Sequence, residues 1–598
     1  MAHAAQQTGP SSEREPASLP ALPQPFAGWF ADRGWIPRGH QLVLLDEAMA
    51  RHDVLLIAPT GGGKTLAGFL PGLVELSGTA RKQSGGVHTL YISPLKALAV
   101  DVTRNLKMPV EEMDLNVTLE TRTGDTPQSR RQRQRHSPPD ILMTTPEQVA
   151  LLLSHRDAGR LFSGLRYIVL DELHALVTSK RGDLLSLGLA RLRTLAPEAI
   201  AVGLSATVAR PSELRAFLTP QAAPGTATEL ASLVRGVEGA RPDLEIMRSQ
   251  DRMPWSGHSA RYALGGLYEA IKAHRTSLIF VNTRSQAEML FQELWRINDD
   301  NLEIALHHGS LDVSQRRKIE AAMVGGQLRA VVCTSTLDLG IDWGDVDLVI
   351  NVGAPKGSSR LAQRIGRSNH RLDEPSKALL VPANRFEVME CQAALDAASA
   401  GAQDTPVARR GGLDVLAQHI LGMACAAPFD PDCLYGEIRA AAPYARLERS
   451  TFERVVEFVA TGGYALKVYD RYARLRKTKD GMYRVSHPRF AQQYRLNVGT
   501  IVEEPMLKVR LGKPAQARSG PVRGGRGLGE IEEYFAEQLV PGDTFVFGGE
   551  VLRFETMREM EVIASRSGSS DAKVPSYMGG KFPLSTYLAE RVRAILAD

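Results

Sequence analysis

A glycine-rich segment near the start of the chain joins an apolar run to a helix-like stretch, and it constrains the fold more than any other feature. The apolar run is Val54–Ile57 and the helix-like stretch begins at Leu66; between them stands Ala58-Pro59-Thr60-Gly61-Gly62-Gly63-Lys64-Thr65. Three glycines let the backbone N–H groups turn inward, and the positive end of the following helix points to the same place. We predict a phosphate-binding loop between a buried strand and a helix, with Lys64 on the terminal phosphates and Thr65 on Mg²⁺.

The composition is that of an ordinary multidomain protein. A chain of 598 residues is long enough for about three to five domains. Hydrophobic residues make up 43% and charged residues 23%, and no apolar stretch is long enough to cross a bilayer. Residues 1–24 are rich in Pro, Ser and Ala, which predicts a disordered tail and no targeting peptide. The four cysteines form no CxxC pair, so we expect reduced thiols in a cytoplasmic protein.

Short apolar runs alternate with helix-length segments in two parts of the chain, which predicts two parallel-sheet domains covered by helices. We expect the first at residues 25–235 and the second at residues 236–400. Two helix-like segments and a β-wing then predict a small helical domain at residues 401–490. Strand-like segments with Gly-rich turns predict a β-rich domain at residues 491–598, in which the Gly-rich stretch Arg518–Gly529 is interpreted as a loop.

An acidic pair in the first domain supplies what the phosphate-binding loop lacks. The apolar run Tyr167–Leu170 delivers Asp171 and Glu172 to the carboxyl edge of the predicted sheet, beside the loop. There Asp171 can hold the Mg²⁺ shell, and Glu172 can orient and deprotonate the attacking water. An acidic pair after a strand is also common as a helix N-cap, but the upstream loop and the downstream Ser205-Ala206-Thr207 favour the catalytic interpretation.

These segments resemble the motifs of superfamily 2 DExH-box helicases. Gln41 matches the Q motif, and the segments beginning at Ala58, Asp171 and Ser205 match motifs I, II and III. In the second domain, Thr334–Asp342 resembles motif V, and Gln363-Arg364-Ile365-Gly366-Arg367-Ser368-Asn369-His370 resembles motif VI. Motif VI brings cations to the γ-phosphate from across a cleft. The resemblance implies further ATP contacts from Arg38, Gly340, Ile341, Asp342 and His370.

Motif VI leaves two questions open. We expect Arg367 to be the arginine finger with Arg364 as its partner; alternatively, both pair with acidic residues of their own domain, although Gly366 keeps the loop slim enough to approach phosphate. His370 stands where many relatives carry a third arginine. A neutral histidine still donates a hydrogen bond to phosphate, so that contact would depend on pH. We expect coupling between ATP site and motion through Ser205, Thr207 and Gln363.

Several longer strings resemble the Lhr-type ("large helicase-related") helicases, and within them the bacterial ligase-associated DExH-box helicases. They are Gly34–Gln41, Tyr91–Leu98, Arg122–Thr126, Pro254–His258 and His307–Leu311. Their combination is more specific than any one string. The resemblance implies an α/β fold of two tandem RecA-like parallel-sheet domains, a winged-helix domain and a β-rich domain, with family members continuing beyond this core.

The resemblance also places a DNA strand across both RecA-like domains, opposite the ATP cleft. Hydroxyls, loop N–H groups and a few cations suit phosphate contacts that are made and released at each step, although each such residue is also common in caps and turns. Tyr577 stands where the family has a base-stacking Trp, and it is equally typical of a core aromatic. The expected DNA contacts are Ser93, Lys96, Arg122, Thr126, Thr145, Thr283, Arg284, Thr334 and Tyr577.

From these features we predict an ATP- and Mg²⁺-dependent translocase that moves 3′ to 5′ on single-stranded DNA and unwinds duplexes. The direction, the action on RNA:DNA hybrids, and a role in DNA repair beside a DNA ligase and a nuclease come from the resemblance alone; no membrane is involved. Two other functions use the same motifs: an ATP-gated nucleic-acid clamp that anneals without unwinding, and an RNA helicase. A nucleotide kinase would not need the second domain.

Overall fold

Four structural units follow one another along the chain. The computed structural model describes residues 21–597 without 60, 79–84, 207, 209, 223–225, 227, 238–239, 250, 339–344, 369–374, 403, 405–408, 464–465, 467–468, 470–472, 501–504, 513–523, 570 and 578–582. Within these residues the strands form sheets of seven, six, two and five strands. The architecture confirms the predicted α/β class, with two parallel-sheet domains, a winged-helix domain and a β-rich domain. None of the described helices is long and apolar enough to cross a membrane.

The first domain is a parallel sheet covered by helices on both faces. Its strands are β1 Val54–Ile57, β2 Thr89–Ile92, β3 Leu119–Thr121, β4 Ile141–Thr144, β5 Tyr167–Leu170, β6 Ile200–Ser205 and β7 Ser232–Arg235. Its helices are α1 Phe26–Asp32, α2 Gly39–Met49, α3 Lys64–Ser77, α4 Lys96–Glu112, α5 Gln128–His136, α6 Pro146–Leu153, α7 Ala158–Phe162, α8 Leu173–Val177, α9 Lys180–Leu195 and α10 Pro211–Leu218. Because both faces are covered, most strands are continuous apolar runs, and β1, β2, β4 and β5 are buried at every position.

The strand order of this sheet divides its carboxyl edge into two halves. The order is β3-β4-β2-β5-β6-β1-β7. Parallel strands end at the same edge, so the segments after β5, β6 and β1 lie together. The segments after β3, β4 and β2 form the other half of the edge. The sheet therefore separates the expected ATP residues from the expected DNA residues.

The second domain repeats this plan with six strands. They are β8 Asp243–Ile246, β9 Ser277–Val281, β10 Ile304–His307, β11 Ala330–Cys333, β12 Leu348–Val352 and β13 Lys377–Val381, all parallel in the order β10-β11-β9-β12-β13-β8. The helices are α11 Leu264–Ala273, α12 Arg284–Arg296, α13 Val313–Val324, α14 Ser358–Ile365 and α15 Arg385–Ser399. Two apolar clusters, one on each face, form its core.

The winged-helix domain packs on the first domain. It consists of α16 Leu413–Ala426, α17 Pro431–Arg439, α18 Arg449–Thr461, the two-stranded wing β14 Leu475–Lys477 and β15 Tyr483–Val485, and α19 Pro488–Leu496. Helix α16 contacts α6 and α9, and its buried Leu416 belongs to the same apolar cluster as Leu184 of α9. Arg409 pairs with the buried Asp183 at 2.7 Å. The two domains therefore share one core.

The β-rich domain packs on the second domain. Its elements are β16 Met506–Gly512, β17 Gly524–Glu532, α20 Glu533–Ala536, β18 Thr544–Phe547, β19 Glu550–Arg558 and β20 Glu561–Arg566. The turn between β18 and β19 meets α12, where Glu288 accepts hydrogen bonds from the backbone N–H groups of Gly548 at 2.7 Å and Gly549 at 3.0 Å. The last helix, α21 Thr586–Ala597, contacts α15.

The Gly-rich stretch expected to be a loop is partly a strand. Residues 524–529 belong to β17, which pairs with β16, while residues 518–523 lie outside the described residues. A Cβ on Gly529 would come within 2.1 Å of the Ser310 carbonyl oxygen. Glycine is therefore present because two backbones approach closely, and not because the segment is a turn.

Candidate active site and nucleic-acid interface

The phosphate-binding loop is held by side chains at the start of α2. Gly61 and Gly63 adopt φ of 76° and 72°, which glycine tolerates. In a trans peptide the N–H points away from the preceding carbonyl. The side chains of α2 bind the glycine carbonyl oxygens, so the N–H groups of Gly63 and Lys64 point to the opposite side of the loop. The contacts are Arg38 NH1 to Gly61 O at 3.0 Å, His40 Nε2 to Gly62 O at 2.8 Å and Gln41 Nε2 to Gly63 O at 3.3 Å.

The acidic pair Asp171 and Glu172 follows β5 and is buried. Burial, and then the charge of Glu172, raise the pKa of Asp171 to about 6, against the opposing effects of Lys64 and of the Tyr91 hydroxyl, which donates to Asp171 Oδ2. Burial also acts to raise the pKa of Glu172, but nearby positive charges led by Lys64 outweigh it and hold that pKa below its usual range. Glu172 has a φ of 47°, a left-handed conformation that costs about 1–3 kcal/mol for a non-glycine residue.

The residues expected to hold Mg²⁺ fit a small divalent cation. Asp171 is a buried carboxylate whose charge is opposed by its surroundings, and Glu172 Oε2 is buried and accepts no hydrogen bond from the described residues. Thr65 lies in the first turn of α3, beside the loop. The described residues contain no group of three or more His, Cys, Asp or Glu side chains that could hold a metal. Mg²⁺ needs only one or two protein ligands when phosphates supply the rest.

His174 connects the acidic pair to the second domain. Its Nδ1 lies 3.1 Å from Ser205 Oγ, and its Nε2 lies 3.4 Å from Glu172 Oε2 and is hydrogen-bonded to Gln363 Nε2. Burial lowers the pKa of His174, so the ring is neutral near pH 7. With the proton assigned to Nδ1, the ring donates to Ser205 and accepts from the Gln363 amide. The structure thus brings two predicted coupling residues to one ring, whose own role the sequence reasoning missed although it is part of motif II.

Arg367 faces the acidic pair from the second domain. Its side chain is buried, and its positive charge contributes to the lowered pKa of Glu172. Its Nε donates to the Gln363 carbonyl oxygen at 3.2 Å. Arg367 is therefore close enough to act on the acidic pair across the cleft, and its role as the arginine finger stays a prediction.

Arg364 turns into its own domain. Its Nε donates to Asp338 at 2.8 Å, its NH1 donates to Asn351 at 2.9 Å, and its guanidinium lies 4.9 Å from the centre of the Phe280 ring. The contacts correspond to the alternative left open by the sequence, pairing within the domain, and not to a phosphate contact.

Six predicted residues lie outside the described part of the chain: Thr60, Thr207, Gly340, Ile341, Asp342 and His370.

The expected DNA contacts of the first domain lie after β2, β3 and β4. Arg122 is buried, its NH1 donates to the Arg131 carbonyl oxygen at 2.9 Å, and its Nε has no hydrogen bond among the described residues. Burial lowers the pKa of Arg122 to about 10, and the charges of Arg131 and Arg135 act in the same direction. A buried cation beside other cations suits a phosphate ligand. The other residues are buried Ser93 and Thr145, exposed Lys96 at 3.1 Å from Asp125, and Thr126, whose hydroxyl accepts from Thr123 N.

Arg181 of α9 ties two of these loops together. Its NH1 donates to the Pro94 carbonyl oxygen at 2.7 Å, and its Nε and NH2 donate to the Glu147 carboxylate at 2.5 and 3.0 Å. These partners are 87 and 34 residues away in the chain. The sequence reasoning missed Arg181, and no local pattern marks it.

The expected DNA contacts of the second domain lie around the start of α12. Thr283 caps the helix, and Arg284 NH1 donates to Ser310 Oγ at 3.0 Å. The Arg284 guanidinium also lies 5.2 Å from the centre of the Tyr577 ring. Ser285 Oγ donates to the Pro575 carbonyl oxygen at 2.6 Å, which fixes the segment carrying Tyr577 beside these residues. Thr334 is buried after β11.

Three family models match the chain. DEAD/DEAH box helicase matches residues 38–214, Helicase conserved C-terminal domain matches residues 263–371, and Large helicase-related protein, winged helix domain, matches residues 397–574. The ATP-dependent helicase Lhr-Core of Methanocaldococcus jannaschii is 34% identical over 95% of this chain and 66% of its own length. That of Methanothermobacter thermautotrophicus is 36% identical over 91% of this chain and 64% of its own length. The chain thus spans less than two thirds of these relatives.

Solved structures support the same relationship. Mycobacterium smegmatis helicase Lhr bound to ssDNA and AMP-PNP has a TM-score of 0.72 and 34% identity, covering 81% of this chain and 63% of that one. The DUF1998 helicase MrfA bound to DNA has a TM-score of 0.69 at 20% identity, over 92% of this chain and 74% of that one, and so shows the fold alone. The domain models, the relatives and the motif geometry agree, and the chain belongs to the Lhr (large helicase-related) type of the superfamily 2 helicases.

Proposed function

We propose that this chain is an ATP- and Mg²⁺-dependent motor that moves 3′ to 5′ along single-stranded DNA and unwinds the DNA duplexes and RNA:DNA hybrids that it meets. The direction and the action on hybrids rest on the resemblance, and one observation carries the coupling of ATP hydrolysis to motion: a cleft between two parallel-sheet domains, in which His174 of the first domain is bonded to Gln363 of the second. Arg367 of the second domain acts on Glu172 of the first. A hydrolysis site divided in this way is complete only when the domains close, so the chemistry is tied to their relative motion.

Each residue of the cleft has a distinct task. Thr65 and Asp171 would hold Mg²⁺, which would neutralise charge on the phosphate oxygens. Glu172 is charged at neutral pH because its pKa lies below the usual range, and it accepts a proton from the attacking water. Arg367 stabilises the charge that develops on the transferred phosphoryl group. Arg364 supports the motif VI loop through Asp338 and Asn351.

Each of the two remaining domains is attached to a different parallel-sheet domain and moves with it. The winged-helix domain shares a core with the first domain, and the β-rich domain is bonded to α12 of the second. Opening and closing of the cleft therefore changes the separation of these two domains. A strand held at the carboxyl edges of both sheets would be released by one half and kept by the other in each cycle.

The hydrolysis step is tested by Glu172→Gln. We expect this variant to bind ATP but to lose about 10²- to 10⁴-fold in the kcat of DNA-stimulated ATP hydrolysis, since the general base is removed. Glu198→Gln, at an exposed glutamate of the same domain, is the matched control and should keep the wild-type rate. A Glu172→Gln variant with nearly wild-type hydrolysis contradicts the assignment.

The motor is tested by strand displacement on duplexes with a 3′ tail or a 5′ tail, as DNA and as RNA:DNA hybrid, with and without ATP. The proposal requires ATP-dependent displacement of the 3′-tailed substrates. Hydrolysis stimulated by single-stranded DNA without displacement indicates a clamp, and stimulation by RNA alone indicates an RNA helicase. We further propose, from the resemblance, that the motor works in DNA repair with a DNA ligase and a nuclease; co-purification of these enzymes with the tagged chain tests this.

A further inference from the structure

An exposed aromatic pair lies at the carboxyl edge of the second sheet. Trp255 is 62% exposed and Phe386 is 60% exposed. Their ring centres are 6.3 Å apart with 54° between the ring planes, and the Arg385 guanidinium lies 4.4 Å from the centre of the Trp255 ring. Neither ring belongs to the ATP cleft or to the predicted DNA contacts. Two large aromatic side chains exposed side by side indicate a binding surface.

The segment that carries Trp255 is fixed to the starts of two helices. Backbone carbonyl groups between residues 253 and 258 accept hydrogen bonds from residues at the starts of α12 and α15. The segment is thus held in place before any ligand binds, so little conformational entropy is lost on binding. The bonds are Arg385 N to Pro254 O at 3.1 Å, Arg385 Nε to Met253 O at 3.3 Å, Asn384 Nδ2 to Gly257 O at 2.9 Å and Gln286 Nε2 to His258 O at 3.3 Å.

One of these anchors also belongs to the expected path of the nucleic acid. Gln286 forms a capping box with Thr283, the expected phosphate contact at the start of α12. The Trp255 segment is therefore separated from that contact by a single side chain. Arg385 places a cation over the Trp255 ring, and the exposed Arg252 lies three residues before Trp255 in the chain, next to the exposed Asp251. Aromatic faces beside cations are the surface that single-stranded nucleic acids bind.

We propose that Trp255 and Phe386 form a base-stacking platform for single-stranded nucleic acid, beside the Thr283 end of α12. The proposal rests on the proposed function, because it assumes a strand along this edge. Arg385 orients the Trp255 ring by lying over it. Every base has a π-face, so the platform accepts any sequence and suits a motor that must pass along all of them.

The test scans a single abasic site along an oligo-dT strand and measures binding to the full chain by fluorescence anisotropy. Wild type should show one or two positions at which loss of the base weakens binding. Trp255→Ala should bind the intact strand about tenfold more weakly. At one of those positions, removal of the base should no longer weaken its binding; this weakening is the abasic penalty. Trp255→Phe should retain part of both effects.

A second exposed tryptophan provides the matched control. Trp295 is 56% exposed at the last turn of α12, where it stacks on Phe291 with ring centres 5.8 Å apart. Trp295→Ala removes an equal ring at the end of α12 that is farthest from Thr283 and should leave the abasic scan unchanged. A change equal to that of Trp255→Ala would overturn the proposal.

The outcomes separate this platform from the motor itself. If Trp255→Ala and Phe386→Ala bind as wild type does, or weaken binding while every abasic penalty remains, the platform is refuted and the motor stands. Unchanged DNA binding together with loss of a bound protein would instead identify a protein-docking surface and also refute the platform. If wild type neither binds the oligonucleotide nor hydrolyses ATP faster in its presence, the proposed function fails first.

Discussion

The joint between the second domain and the β-rich domain depends on one buried carboxylate. Glu288 is 0% exposed and accepts the backbone N–H groups of Gly548 and Gly549 at 2.7 and 3.0 Å. Its Oε1 also lies 3.0 Å from His308 Nε2. Glu288→Gln keeps the shape of the side chain but replaces one acceptor oxygen with an NH₂ group, which faces a donor.

The size of the effect follows from these contacts. A hydrogen bond to a charged group contributes about 1.5–3 kcal/mol, and a buried donor left without an acceptor costs about 1–3 kcal/mol. We therefore expect Glu288→Gln to weaken the docking of the β18–β19 turn by about 2–4 kcal/mol. Since 1.4 kcal/mol is a factor of ten, amide hydrogens of the turn should exchange about 30- to 1,000-fold faster.

Hydrogen exchange on peptides that span Gly548 and Gly549 measures this change. The control is Glu293→Gln on the same helix, which makes the same charge change at a carboxylate paired with Arg261 at 2.8 Å and Arg296 at 3.2 Å. Both arginines are exposed, and Glu293 has no hydrogen bond to the turn among the described residues, so such pairs contribute little and exchange at the turn should stay at the wild-type rate. Unchanged exchange in Glu288→Gln, or an equal change in both variants, refutes the reasoning.

Two further predictions concern the first domain and the winged-helix domain that packs on it. Arg181→Lys keeps the charge but loses the fork that spans Pro94 and Glu147, so we expect about tenfold weaker binding of single-stranded DNA by anisotropy and unchanged ATP binding. Buried His419 has a pKa lowered to about 3, first by burial and then by the charge of Arg191. The unfolded chain takes up a proton below about pH 6.5 and the folded chain does not, so stability should fall as the pH drops from that value towards 3. His419→Leu should show a smaller fall in the urea midpoint between pH 7 and 5 than wild type; an equal fall would contradict this assignment.

The predictable part of the fold is the part with local patterns. The runs that became β1 and β5 are buried on both faces, so they are apolar throughout and visible in the sequence. Strand β17 was not predicted because its Gly-rich sequence has no strand pattern, and Gly529 is required by a neighbour in another domain, the Ser310 backbone. A contact of this kind between distant segments leaves no local pattern in the sequence. Only a Gly-rich composition, typical of a loop, is visible.

The candidate site divides in the same way. The phosphate-binding loop directly follows β1 and the acidic pair directly follows β5. Once the sheet is recognised, its strand order places the two segments together. The directions of the two arginine side chains could not be predicted in this way. Arg364 and Arg367 belong to one short motif, and only their contacts with residues distant in the sequence distinguish them. Asp338 and Asn351 draw Arg364 inward, and neither partner is predictable from the motif itself.

The two accessory domains are joined to the RecA-like domains by different proportions of apolar and directional contact. The winged-helix domain shares an apolar core with the first domain, which is not directional, and ion pairs such as that of Arg409 with Asp183 at 2.7 Å add directional contacts. The β-rich domain has its own core and meets the second domain through directional bonds, from Asp312 N to Leu528 O at 2.9 Å and from Glu530 N to Ser310 O at 2.8 Å. Ser310 also bonds Arg284, which lies over Tyr577. The backbone register of the joint therefore fixes Tyr577 relative to the expected phosphate contacts at the start of α12, a precision that apolar packing alone would not supply.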